Sequence, residues 1–93
     1  MISFKIKELE KYTIVFIGLD IITPNELRDI VPPSVDSGKG VILSGRGPIW
    51  LYGFLTHCYH PTKFVAIYDP RLKGAAVVES HDLAYKVGDV IEI

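Results

Sequence analysis

The sequence predicts one α/β (α+β) domain over residues 1–93, a mixed β-sheet carrying two helices. Three observations predict it. Short alternating or continuous apolar runs recur along the chain, as β-strands require. Two longer stretches show helical spacing of apolar residues behind a capping or proline signal. The length leaves room for one core, and 48% hydrophobic with 23% charged residues is a globular composition rather than a disordered one.

The elements follow in order. Ile2 to Lys7 alternates, with Ile2, Phe4 and Ile6 on one face, and reads as a half-buried strand. Tyr12 to Leu19 is β-branched and aromatic, a more deeply buried strand, and Lys11 in the short polar connection makes the pair a hairpin. A helix is expected next. Thr23 is a good N-cap, Pro24 takes the first helical position, Glu26 completes a capping box, and Leu27, Ile30 and Val31 form an apolar stripe. Pro32-Pro33 stops it.

After a polar loop to Gly40, the run Gly40 to Ser44 reads as a short buried strand. Gly45-Arg46-Gly47-Pro48 breaks it. Ile49 to about Tyr59 is the second helix, with Leu51, Phe54, Leu55 and Cys58 towards the core. Strands are expected at Lys63 to Tyr68, Ala75 to Glu79 and Val90 to Ile93, giving the order β-β-α-β-α-β-β-β.

Composition narrows the function classes. No apolar run approaches the roughly 18 residues of a membrane span, and the alternating N-terminus lacks a signal-peptide core. The single Cys58 makes no internal disulfide. A cytoplasmic protein is expected. A net charge of −1 argues against a binder of long duplex DNA. Between Gly38 and Gly74, however, Lys39, Arg46, Lys63, Arg71 and Lys73 face a single acid, Asp69. A positive centre in an acidic frame suits a small anion.

Three constellations carry chemistry. Ser44-Gly45-Arg46-Gly47-Pro48 lies where a strand enters a helix, and such a turn offers free N–H groups, a helix dipole and a forked cation to phosphate. The same residues also suit a plain tight turn. His57 and His60, three apart at a helix end, could share a metal, or simply complement the helix dipole. Adding Asp69 and His81 gives the set His57, His60, Asp69, His81, the nitrogen and oxygen donors expected of manganese or a similar divalent ion, zinc included. Asp69-Pro70-Arg71 follows a strand, where α/β sheets place ligands; the Asp could bind metal or act as a base, the Arg could hold phosphate, or the two could be a local ion pair. Trp50, Tyr52 and Tyr59 could stack on a base, although their spacing is more often that of core residues.

A right-handed crossover would place Ser44–Pro48 and Asp69–Arg71 at one edge of the sheet. His57 and His60 would lie at the far end of the helix, roughly 15–18 Å away at about 1.5 Å per residue. His60 and Asp69 could then meet only between copies, in a head-to-tail stack.

Several segments carry a family resemblance: Pro33-Ser34-Val35-Asp36, Gly40 to Leu51 with its Ser-Gly-Arg-Gly-Pro centre, His57-Cys58-Tyr59-His60, Ala66 to Leu72, and Val77 to His81. Over nearly its whole length the chain resembles the small CRISPR-associated ring nucleases of type III systems. The resemblance implies a ferredoxin-like fold and a manganese-dependent phosphodiesterase that cuts cyclic tetra-adenylate, so switching off an antiviral signal. The family was first described as RNA 3′-deadenylating exonucleases. It further implies His60 and Asp69 as the catalytic pair, Arg71 as a ligand-binding arginine, and Ser44, Gly45, Arg46 and Gly47 on the nucleotide-binding edge. Homodimers that stack on the ring into tetramers or longer arrays are implied as well. Two other readings stay open: an exonuclease trimming adenosines from an RNA 3′ end, and a non-catalytic domain that only binds cyclic oligoadenylate.

Overall fold

A computed structural model describes all residues 1–93. Six strands form one mixed sheet: β1 (Ile2–Glu8), β2 (Tyr12–Leu19), β3 (Gly40–Gly45), β4 (Phe64–Asp69), β5 (Gly74–Ser80) and β6 (Val90–Glu92). They lie side by side in sequence order. β1–β2, β4–β5 and β5–β6 pair antiparallel, while β2–β3 and β3–β4 pair parallel. The two parallel connections run through a 3-10 helix (Pro24–Asp29) and through α1 (Ile49–Cys58). Successive right-handed crossovers that step in one direction leave both helices on one face of the sheet. The α+β class is as the sequence predicts, with the layering of a ferredoxin-like-type domain.

Alternation divides the core. On the helix face, Val15, Ile17, Val41, Leu43 and Val65 pack beneath Leu51, Leu55 and Tyr59 of the α1 segment, with Leu27 and Ile30 at the margin. On the other face, Ile14, Ile42, Phe64, Ala66, Ala75 and Val77 form a second cluster. Tyr85 covers it, its ring 4.3 Å from that of Phe64. Phe64 also presses on Gly40, where a Cβ would meet its ring at 2.1 Å. No side chain fits there.

The first helix is shorter and tighter than its apolar stripe implies. The capping box forms, with the Thr23 amide donating to Glu26 Oε2 at 2.6 Å. Yet Ile30 is already extended (φ −74°, ψ 125°), and Val31 is 85% exposed rather than packed. Each residue before Pro32-Pro33 is pushed from helical backbone, leaving room for little more than a 3-10 turn.

Candidate functional site

Because β2, β3 and β4 run parallel, their carboxyl ends share one rim and their amino ends the opposite one. Each rim gathers a different chemistry.

At the carboxyl rim, β3 ends in the turn before α1. Gly45 has φ +150°, and a Cβ there would lie 2.4 Å from the Ile17 carbonyl oxygen. The second position of this turn therefore has to be glycine. The Tyr52 hydroxyl donates to the Gly45 carbonyl and ties the turn to α1; burial pushes that phenol above its ordinary pKa. Pro48 caps α1 with no side-chain hydrogen bond, and no acid stands in the first turn. The positive end of the helix is thus not neutralised locally. Arg46 is exposed beside it and makes no hydrogen bond or ion pair. Ser44 is half-buried at the end of β3, paired with Phe16.

On the neighbouring strand, Asp69 ends β4 and folds back on Arg71. Its Oδ1 accepts from the Arg71 amide at 2.9 Å and from Nε at 3.2 Å, and its Oδ2 accepts from Nη2 at 3.0 Å. These bonds hold the carboxyl below its ordinary range, and the carboxylate in turn raises the guanidinium. An Asp held ionised is a poor proton donor; its work in this arrangement is to fix the guanidinium fork at the rim. Arg71 remains 90% exposed along its side chain.

The amino rim carries the imidazoles. His60 follows the end of α1, its amide donating to the His57 carbonyl at 3.2 Å. Its Nδ1 contacts Glu79 Oε1, and His81 Nε2 lies 3.6 Å from the same oxygen. The two rings stand 4.9 Å apart, nearly perpendicular at 75°. One donor atom from each of His60, Glu79 and His81 falls within 4.8 Å of the others. His81 is anchored by its amide, which donates to the Lys63 carbonyl at 2.8 Å.

Glu79 is the residue that sequence reasoning missed. Val65 pairs with Glu79 but the next residue, Ala66, pairs with Val77, so Val78 is an extra residue in β5. Strict alternation from Ala75 and Val77 would send Glu79 to the face away from the helices. The bulge turns it to the Val65 side, under His60. No local residue signal announces that bulge.

The structure brings His60 and His81 together, and Asp69 and Arg71 together, and keeps these pairs apart. His81 is level with Lys63, and Asp69 lies six residues further along the same strand, about 20 Å at about 3.3 Å per residue. His57 is exposed on α1 and outside the donor cluster. Tyr59 is buried, its hydroxyl donating to the Pro33 carbonyl at 2.7 Å. Trp50 and Tyr52 are partly buried against the helix-face cluster.

Fold and site together define a small α+β domain with Arg46 and Arg71 at one rim and a separate cluster of nitrogen and oxygen donors at the other. The chain belongs to the Cas_csx3 family of CRISPR-associated proteins, whose family model matches residues 16–92. It is 55% identical over 75 residues to an uncharacterized protein of Aquifex aeolicus (strain VF5), a match covering 76% of this chain and 68% of that protein. No helix is long and apolar enough to cross a membrane.

Proposed function

We propose that this protein is a metal-dependent phosphodiesterase that opens cyclic tetra-adenylate to linear oligoadenylate and so ends type III CRISPR signalling. Membership of a CRISPR-associated family supports the setting. The observation that carries the reading is the division of labour between the rims: phosphate-binding groups at one, imidazoles at the other. A single copy holds each half of a phosphodiesterase centre and cannot join them. A ring of phosphates held between stacked copies supplies the geometry in which they meet.

In this reading Arg46, Arg71 and the start of α1 hold the phosphates of the ring. Asp69 keeps Arg71 extended and charged at the scissile group, where the guanidinium stabilises developing negative charge. His60 from a facing copy takes or gives the proton of the attacking or leaving oxygen. A divalent ion, when bound, supplies charge neutralisation at the phosphate. The donors present suit manganese: imidazole nitrogen and carboxylate oxygen, with no thiolate among them.

The test incubates the protein with labelled cyclic tetra-adenylate, with manganese or with chelator, over a range of protein concentrations. Linear product should require the metal, and the rate should rise more steeply than in proportion to protein. Full turnover by both His60→Ala and Asp69→Ala would discard the assignment. Arg46→Ala and Arg71→Ala should each weaken ring binding by about 10- to 100-fold, the loss of a charged hydrogen bond worth about 1.5–3 kcal/mol.

A further inference from the structure

We infer that the chain carries a separate pocket for the vicinal hydroxyls of a ribose, at the amino rim between the β1–β2 hairpin and the Ser34–Asp36 loop. The site goes beyond the phosphodiesterase reading and does not rest on it. A closed 3′–5′ ring presents one free hydroxyl on each ribose, not a neighbouring pair.

Ile6, Glu8, Thr13, Ser34, Val35 and Asp36 line a cavity of about 170 Å³ there. Its floor is Thr13, 2% exposed, whose hydroxyl is the one buried side-chain polar atom of the chain with no hydrogen-bond partner. Thr62 shows the ordinary outcome for a buried hydroxyl, bonded to the Tyr59 carbonyl at 2.7 Å and the Phe64 carbonyl at 3.1 Å. Thr13 stands two residues before Val15 and pairs with Val41, and a third valine would fit that setting without an orphaned atom. An unpaired buried hydroxyl costs stability unless something entering the cavity satisfies it. The space exceeds the roughly 30 Å³ that one water occupies.

The remaining polar atoms select the ligand. Asp36 Oδ1 accepts from the Gly38 amide at 2.8 Å and Glu8 Oε1 from the Lys39 ammonium at 3.1 Å, which leaves the second oxygen of each carboxylate free. Ser34 adds another hydroxyl. Lys39 is held by the Leu9 carbonyl as well, at 2.8 Å, so its charge is spent locally. Two carboxylates in so small a space repel phosphate, and a divalent ion would have to displace Lys39 from Glu8. A neutral vicinal diol fits: each hydroxyl donates to a carboxylate and accepts from Thr13 or Ser34. Carboxylates read ribose hydroxyls in this way in dinucleotide-binding folds. Ile6 and Val35 offer apolar surface to the carbons of the sugar.

The loop that closes the pocket is fixed at both ends. The Pro33 carbonyl accepts from the Tyr59 hydroxyl at 2.7 Å, and the Asp36 carbonyl accepts from the Lys39 amide at 3.1 Å. The pocket is therefore formed before any ligand arrives.

The test titrates full-length protein, by calorimetry, with adenosine, D-ribose, 2′-deoxyadenosine and 3′-deoxyadenosine, and repeats the adenosine titration in inorganic phosphate. We expect one adenosine per chain, each deoxy analogue at least about tenfold weaker, and no competition from phosphate. Thr13→Val and Asp36→Asn should each weaken adenosine at least about tenfold, while Arg71→Ala binds it as the wild type does. Thr13→Val should also raise the unfolding temperature of the free protein, which loss of a structural hydrogen bond would lower. Circular dichroism confirms the fold of each variant; should Asp36→Asn not fold, Ser34→Ala takes its place. Ribose as tight as adenosine assigns the pocket to the sugar alone, and ribose weaker than adenosine assigns it to a nucleoside. No binding of adenosine by the wild type, undiminished affinity for both deoxy analogues, or wild-type affinity in both Thr13→Val and Asp36→Asn would each overturn the site.

Discussion

Mixing two inactive variants offers the most direct test of a centre shared between copies. His60→Ala removes an exposed imidazole and Asp69→Ala a part-exposed carboxylate at the end of β4, so both variants should fold. Alone, each should be inactive. His60 has to come within about 3 Å of the proton it transfers, at the same phosphate that the Arg71 guanidinium fixed by Asp69 holds, whereas the rims that carry these two residues are separated by about 20 Å along β4. A shared centre therefore takes Asp69 from one copy and His60 from the next. In an equal mixture the first comes from the His60→Ala protein in half of all contacts, and the second from the Asp69→Ala protein in half, so about one quarter of centres are intact. The estimate is the same whether single chains or preformed pairs exchange. Turnover of labelled cyclic tetra-adenylate, measured before and after mixing at fixed total protein, should rise from near zero to about a quarter of the wild-type rate. A mixture no more active than the sum of its components would refute the shared centre, as would cleavage by wild-type protein shown to be a single chain.

Two further outcomes follow from the core. Gly40→Ala would place a methyl 2.1 Å from the Phe64 ring, and such overpacking costs about 1–3 kcal/mol; at about 4–8 °C per kcal/mol for a domain of this size, thermal unfolding should move down by roughly 4–24 °C. The Tyr59 phenol, buried and donating to Pro33, has its pKa pushed up to about 12 by burial first and then by the neighbouring Cys58. A folded-state pKa raised above the unfolded value near 10 means that this contribution to stability is complete below pH 10 and is lost as pH climbs through 12. Tyrosinate absorbance should show a last-titrating phenol, near pH 12, that Tyr59→Phe abolishes, and its persistence in that variant would reassign it.

The strands were readable because each carries its own signature. Ile2, Phe4 and Ile6 alternate, and Tyr12 to Leu19 is a run that only a covered strand tolerates; both stand where those patterns place them. The separation of His60 from Asp69 was readable too, since it needs only the length of α1 and the hand of one crossover. What failed to register was information that lives between segments. The Val78 bulge depends on how β5 meets β4, and without it Glu79 reads as an ordinary acid on the outer face. Tyr85 covers Phe64 from a turn that carries no periodicity. The first helix was overextended because Val31 fits an apolar stripe, while the backbone restriction from the prolines after it decided the outcome.

Since every strand hydrogen-bonds to the one made just before it, the sheet can be assembled progressively during synthesis, and no early strand waits for a distant partner. Short-separation pairings of this kind favour rapid folding and limit the time that bare strand margins spend in search of other chains. Trimming from the far end should be correspondingly gentle: removing β6 strips the outer margin of β5 and spares the hydrogen bonds between the first five strands.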